Sequence, residues 1–423
     1  MRASIVCIGS ELLQDKINTN VNLISNELRL KLGLRVSRAY TVPDDLEEIK
    51  RVLSESISLF DIVITCGGLG PTFDDFTCDA VAQVLGKRRI FVREILENIV
   101  RHFIARGIEM PEENERQAYI IEGAKYVLNP VGTAPAQIIN TEVKGHKVCV
   151  ILLPGPPNEL TPILENDVIP YLAKKIKVPV ITKQAVLHIF GKPESEINHK
   201  IEPIVKQETL HDEDINVEFG ILAHQAIIDV KVCVSGRDQM LVEETLLNIK
   251  RRLYEVLEDD IYGEGAQTLS SVVGELLLAK RKTLSVAESA TGGLIGNKIT
   301  NIAGSSVYFR GGVIAYNNEI KMKILGVPEE VIKVHGVISG EVARYMAEGV
   351  KKLYCTDCSV GITGIAGPTT EEDKPVGLAY ISTIVDNEVS VYEVRFSGLR
   401  QEIKDKFANA ALNFLYRNLK KLK

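Results

Sequence analysis

Two observations predict an α/β protein with a doubly wound N-terminal domain, a small α+β middle module and a C-terminal α/β domain. Short apolar, β-type runs alternate with helix-patterned stretches through the first third of the chain, and the same rhythm restarts near residue 268. In both regions small-residue, glycine-bearing loops stand directly behind the strand-like runs, the place where a doubly wound sheet collects its ligand.

The 423 residues allow two or three domains. The pattern separates 1–172, a small α+β module over 173–262, and an α/β domain over 266–423. In the first, strand Ile5–Ile8 precedes the helical stretch Asn20–Leu32, Val36–Tyr40 precedes Leu46–Leu59, and Asp61–Thr65 precedes a helix over Asp75–Leu85. A further strand covers Val148–Leu153. The middle module offers strand-like runs at Val178–Thr182, Ala185–Phe190 and Ile227–Val234, with amphipathic helices at Ser195–Val205 and Asp238–Tyr254. With few convergent polar groups it reads as a spacer or dimerisation element. Gly263-Glu264-Gly265 reads as a linker. Beyond it come a helix over Thr268–Arg281 and a strand over Thr283–Val286.

A net charge of −6 without a clustered Lys/Arg face argues against direct nucleic-acid contact. No apolar run reaches the length of a membrane span. The first nine residues read as a strand rather than a signal peptide, so the expected location is cytoplasmic. The seven cysteines are scattered, and the Cys355/Cys358 pair has no second pair to complete a zinc or redox site.

Four strand-end loops carry the candidate chemistry of the first region. Gly9-Ser10-Glu11 follows the first strand, Asp44-Asp45 the second, Gly67-Gly68-Leu69-Gly70-Pro71-Thr72-Phe73-Asp74-Asp75 the third, and Pro154-Gly155-Pro156-Pro157-Asn158-Glu159 the last. Glycines permit close backbone approach, and a loop entering a helix offers free N–H groups to phosphate. Carboxylates at Asp74 and Asp75 suit a divalent cation or a polarised water between phosphates. The same residues also read as a Gly/Pro turn ended by an acidic helix cap. Convergence of Glu11, Asp44, Asp75 and Glu159 on one rim favours a phosphate-plus-metal site.

The last region repeats the device. Ala287-Glu288-Ser289-Ala290-Thr291-Gly292-Gly293 follows a strand, so Ser289 sits where backbone N–H groups can stabilise an oxyanion, or is an N-cap. Tyr316 stands at a strand end, and Lys321 in the first turn of the next helix, locally unfavourable against the helix dipole. A desolvated Lys321 could serve as general base to a serine, the alternative being a solvated surface lysine. Gly361 to Pro368 forms another small-residue loop, and Arg400 opens the last helix, placed to pair with an anionic group.

The N-terminal third resembles the molybdopterin-binding fold family. More narrowly, Gly9–Leu13, Thr19-Asn20, Val42–Asp45, Gly67–Asp75, Asn129 with Gly132–Pro135, and Leu153–Leu160 resemble the CinA branch (competence/damage-inducible protein A). The C-terminal third is similar to the CinA C-terminal domain at Ala287–Gly293, Arg310–Glu319, Lys321, Gly336–Ser339, Ile362–Pro368 and Lys374–Gly377.

The resemblance implies a molybdopterin-binding-like ADP-ribose pyrophosphatase domain, needing Mg2+, Mn2+ or Co2+, and a metal-free nicotinamide mononucleotide deamidase domain. It implies catalysis by Ser289, Lys321 and Tyr316. Deamidase substrate contacts would come from Thr291, Gly292, Gly293, Asn317, Thr363, Gly364 and Arg400. Nucleotide contacts would come from Glu11, Asn20, Gly67, Gly68, Gly70, Pro71, Thr72, Gly155 and Glu159, and metal contacts from Asp44, Asp74 and Asp75. The expected partners are the two nucleotides and a second copy of the chain, with no membrane. Three positions depart from the family pattern: Ala290 stands where cysteine is usual, Leu399 where aspartate is usual, and Ala136 where glycine is usual.

Overall fold

The computed structural model describes residues 1–176, 180–208 and 214–422. They fall into two compact units. One is Met1–Lys183 with Asp212–Asn216 and Val234–Glu244; the other is Gln184–His211, Val217–Cys233 and Thr245–Lys423.

The first unit holds a six-stranded sheet in the order Val36–Val42, Ala3–Ile8, Ile62–Cys66, His146–Leu153, Ala136–Val143, Lys125–Val127. The first four strands run parallel; Ala3–Ile8 and Ile62–Cys66 are buried throughout and mostly apolar because apolar clusters cover both faces, whereas the edge strand Val36–Val42 is largely exposed. Helices Asn20–Leu32 and Leu46–Leu59 have the expected bounds. Asp45 starts the second by accepting the Glu48 N–H at 2.9 Å. The chain leaves Ala3–Ile8 toward one neighbour and returns to Ile62–Cys66 on the other side. The order therefore reverses between those two strands, opening a crevice at their C-terminal ends. Two antiparallel strands that the apolar pattern did not separate, Ala136–Val143 and Lys125–Val127, complete the sheet.

The helix expected from Asp75 begins at Thr77, with Phe76 as its cap residue. Asp75 is therefore not a helix cap. Its side chain turns back to Thr72, so the loop runs two residues further than the apolar pattern suggested.

Four strands form the sheet of the middle module, in the order Ile215–His224, Ile227–Gly236, Ile181–Phe190, Ile261–Glu264. Helices Glu194–Glu208 and Gln239–Leu257 accompany it. The run expected at 178–182 lies partly outside the described residues. Gly263-Glu264-Gly265 is not a linker. Gly263 and Glu264 pair with His188 and Leu187, and the Gly265 N–H donates to Val186 at 2.8 Å. Phe190, Ile227 and Tyr262 belong to the same apolar cluster as Leu269, Val272 and Leu277. The module thus shares a core with the helix that carries those three residues, and it is not a detached spacer.

That helix, Leu269–Ala279, starts at a reciprocal cap, Thr268 with Ser271. Behind it lies a five-stranded sheet: Phe309–Ile314, Leu284–Glu288, Cys358–Gly364, Leu378–Val385, Glu388–Arg395. The first three strands are parallel and the rest antiparallel. The order reverses between Leu284–Glu288 and Cys358–Gly364, a second crevice of the same type. Cys355, exposed, ends helix Gly340–Tyr354, and Cys358 is buried in a strand, so the two serve separate elements. No helix of the described residues is long and apolar enough to cross a membrane.

Candidate functional site

At the first crevice a cavity of about 660 Å³ opens between the strand ends. Glu11, Asn20, Asp44, Gly67, Gly68, Gly70, Pro71, Thr72, Asp74, Asp75, Gly155 and Glu159 all line it. Gly67 is forced by the backbone: its φ is +98°, and a Cβ there would lie 2.1 Å from the Ile8 carbonyl oxygen.

The polarity of the glycine loop is the central feature. Five of its carbonyls accept hydrogen bonds from the protein. The Thr77 hydroxyl takes Gly67 at 2.7 Å, the Thr77 N–H takes Gly68 at 3.1 Å, and the Gln117 amide takes Leu69 at 3.0 Å. Arg116 takes both Thr72 and Asp75, the latter at 3.2 Å. The successive N–H groups of Gly68, Leu69 and Gly70 have no hydrogen-bond partner among the described residues. A run of unpaired amides in a glycine turn is an anion cradle.

The acidic residues are used individually. Asp44 accepts the Ser10 N–H at 2.7 Å, and the Ser10 hydroxyl in turn accepts the Asp44 N–H. Asp75 accepts the Thr72 N–H at 2.8 Å. Glu11 lies over Gly9 with Lys16 at 3.8 Å. Glu159 accepts the Asn129 amide at 2.7 Å and packs against Gly132. Asn20 donates to the Gly155 carbonyl at 2.7 Å, and its own carbonyl oxygen is buried without a partner. No group of three His, Cys, Asp or Glu side chains among the described residues makes a metal site. Asp44, Asp74 and Asp75 therefore share a cavity without forming the joint ligand set expected of them. This donor set fits a hard cation that keeps water and phosphate oxygens and takes one or two carboxylates, the usual Mg2+ habit, and does not fit an all-protein cage.

At the second crevice, Ser289 and Thr363 leave the ends of neighbouring parallel strands, and the Ser289 N–H donates to Ile362 at 3.1 Å. Glu288, which sequence reasoning passed over, is 1 % exposed, and its carboxylate accepts the N–H groups of Gly293, Ile295 and Gly296 at 2.8–3.0 Å. Those three amides are therefore not available to an oxyanion at Ser289. Every residue of its strand is buried, so alternation does not single it out. Thr291 is fully buried, and its hydroxyl has no partner. Gly292 and Gly293 adopt φ of +62° and +95°, and Lys404 stands 3.6 Å from where a Gly292 Cβ would be.

Lys321 is 2 % exposed in helix Asn318–Lys323, so it is not a surface lysine. Burial pulls its pKa below the usual lysine value, against the opposing attraction of Glu371 and Glu372. Its ammonium donates to the Asn318 side-chain Oδ1 at 3.4 Å, and no hydrogen bond joins it to Ser289. Asn317 caps that helix by accepting the Glu319 N–H at 2.8 Å. Tyr316 is exposed, and its hydroxyl accepts Arg400 at 2.9 Å; Arg400 also donates to the Gly367 carbonyl. Thr363 donates to the Val337 carbonyl at 3.0 Å, and Gly364 pairs with Ala379. Glu372 accepts the Val337 N–H at 2.6 Å, and Lys374 donates to Ile338 at 2.7 Å, so the 336–339 loop is held on several sides.

Comparison with known proteins divides the chain three ways. Residues 4–174 match a probable molybdopterin binding domain, 184–263 the damage-inducible protein CinA KH domain, and 266–419 the CinA C-terminal domain. A CinA-like protein of Endomicrobium trichonymphae is 42% identical over 99% of both chains. A putative competence-damage inducible protein of Caldicellulosiruptor saccharolyticus is 40% identical, again over 99% of both. Among solved structures, a CinA protein of Thermoplasma acidophilum is 34% identical, covering 40% of this chain and 99% of its own, with a TM-score of 0.35.

Proposed function

This chain belongs to the CinA family, and on that premise we propose that it is a two-site hydrolase of nucleotides. The N-terminal site cleaves the pyrophosphate of ADP-ribose to AMP and ribose 5-phosphate. The C-terminal site converts nicotinamide mononucleotide to nicotinic acid mononucleotide and ammonia. The observation that carries the reading is the set of three unpaired amides, Gly68 to Gly70, on a cavity that carboxylates also line. Amides bind the phosphates, while Glu11, Asp44, Asp74 and Asp75 supply negative charge that excludes bare phosphate and accepts a phosphate-borne cation. Such a cation, when bound, neutralises charge on the phosphates as the bond breaks.

For the deamidase, support comes from the buried, pKa-lowered Lys321, since perturbed groups of this kind concentrate at functional sites. Ser289 attacks the amide carbon while neutral Lys321 takes its proton; that proton passes to the amide nitrogen as the C–N bond breaks and ammonia leaves. Water then hydrolyses the Ser289 ester to release nicotinic acid mononucleotide, and Arg400, bonded to Tyr316, binds the anionic part of the substrate. The absence of a preassembled Ser289–Lys321 hydrogen bond means substrate must draw them together, as catalytic contacts often tighten only in the complex.

The lack of a three-carboxylate cluster among the described residues favours a second reading, in which the N-terminal site binds a nucleotide or pterin without cleaving it and regulates the deamidase. The KH name of the middle family does not extend to a nucleic-acid clamp here. Residues 184–263 contain no Gly-x-x-Gly, the loop by which KH modules grip the backbone. Incubation with each substrate, with and without chelator, reading AMP and ammonia, tests the assignment. Ammonia without AMP supports the regulatory reading, and neither product refutes both hydrolase assignments.

A further inference from the structure

The anion cradle has an unassigned support behind it. Residues 112–118 form a short 3-10 helix whose consecutive side chains Arg116 and Gln117 reach three carbonyls of the glycine loop: Gln117 takes Leu69, and Arg116 takes Thr72 and Asp75. Arg116 does not line the 660 Å³ cavity. It lies in a separate, water-sized pocket that also borders Gly68, Leu69, Gly70 and Asp75. There its Nη2, the nitrogen that donates to the Asp75 carbonyl, also lies 3.9 Å from Asp79, an anion that Arg89 holds at 3.1 Å.

A flexible glycine loop can turn either its carbonyls or its amides toward a ligand, and only the second arrangement binds phosphate. Holding the carbonyls settles the choice before the ligand arrives, which removes an ordering cost from binding. We propose that Arg116 and Gln117 together are positioning residues for phosphate recognition: Gln117 holds the Leu69 carbonyl, whose peptide carries the Gly70 amide, and Arg116, which stays off the cavity wall, pins the following stretch of the loop through the carbonyls of Thr72 and Asp75. This rests on the reading of the N-terminal cavity as a pyrophosphate site.

The test uses the full chain as wild type, Arg116→Met and Arg116→Lys. Binding of inorganic pyrophosphate is measured by calorimetry with Mg2+ present throughout, ADP-ribose turnover by AMP release, and folding by thermal melt. Arg116→Met is expected to weaken pyrophosphate binding and raise the ADP-ribose KM by about tenfold or more, with kcat within about twofold, because pre-organisation is lost and the chemistry is not. Arg116→Lys should recover part of the affinity, since one ammonium still reaches one carbonyl. Unchanged pyrophosphate affinity in a folded Arg116→Met protein overturns the proposal. So does a loss of affinity that tracks a fallen melting temperature in both variants. A wild type that binds pyrophosphate but releases no AMP sinks the hydrolase reading and leaves the positioning role to be judged on binding. A wild type that does not bind pyrophosphate sinks the positioning role itself.

Discussion

Asp75 closes a turn on Thr72, accepting the Thr72 backbone N–H at 2.8 Å and the Thr72 hydroxyl with the same carboxylate oxygen. The bond ties the acidic end of the glycine loop to its middle and leaves the other carboxylate oxygen for a cation. Asparagine keeps an acceptor for the N–H but loses the charge. Asp75→Asn is therefore expected to fold, with a melting temperature within about 4 °C of wild type, and to need much more Mg2+ for AMP release from ADP-ribose. A metal titration with equal activity at low Mg2+ would confine Asp75 to holding the turn.

Glu288 is a buried carboxylate satisfied by three backbone N–H groups. Glutamine presents an NH2 to donors that need an acceptor. Glu288→Gln is expected to cost about 2–4 kcal/mol of stability, in the range seen when a buried charged partner is removed. It should also lower ammonia release, because the Ser289 turn is anchored there. Denaturant unfolding of the full chain beside an ammonia assay checks both, and a loss under about 1 kcal/mol would mean the three bonds are replaceable.

Lys321 should trade stability for activity. Its folded pKa is depressed by burial, so between that value and the unfolded value the unfolded chain binds more protons than the folded one. The penalty is full below the folded pKa and is relieved as pH rises toward the ordinary lysine value. Lys321→Met is expected to raise the melting temperature at roughly pH 7, with the gap to wild type shrinking by roughly pH 9.5, while abolishing ammonia release. In the wild type, deamidation should rise with pH as Lys321 loses its proton. A lower melting temperature for Lys321→Met at neutral pH contradicts this account.

Ser289→Ala is expected to abolish ammonia release and leave ADP-ribose cleavage untouched, because the two sites lie at separate crevices. The deamidation should persist in chelator. Retention of more than about a hundredth of the wild-type rate would reduce Ser289 to a turn residue, since loss of a nucleophile costs far more.

The strand–helix alternation of both α/β regions was legible because apolar periodicity is a local property: Leu46–Leu59 follows directly from its amphipathic spacing and from Asp45 before it. Legibility failed where a long-range partner decides. Glu264 looks like part of a Gly-rich linker until Leu187 pairs with it across the sheet. Ile215–His224 was missed because Gly220 interrupts its alternation, and Ala136–Val143 because its first half is buried on both faces. At the sites, residue types and loop positions named the cavity wall. Arg116, Gln117 and Glu288 were invisible, since each acts by bonding backbone atoms, which leaves no mark in the types of the residues they hold.

The core shared by Phe190, Ile227, Tyr262, Leu269 and Val272 bears on how the protein can be handled. A fragment begun at Thr268, the natural cut if Gly263–Gly265 were a tether, would carry one half of that cluster uncovered on its surface. Such a patch invites self-association. Recombinant production of the CinA C-terminal domain would therefore succeed best with the boundary placed before Gln184, or with Leu269 and Val272 replaced by polar residues. Limited proteolysis of the intact chain should leave the 263–268 segment whole.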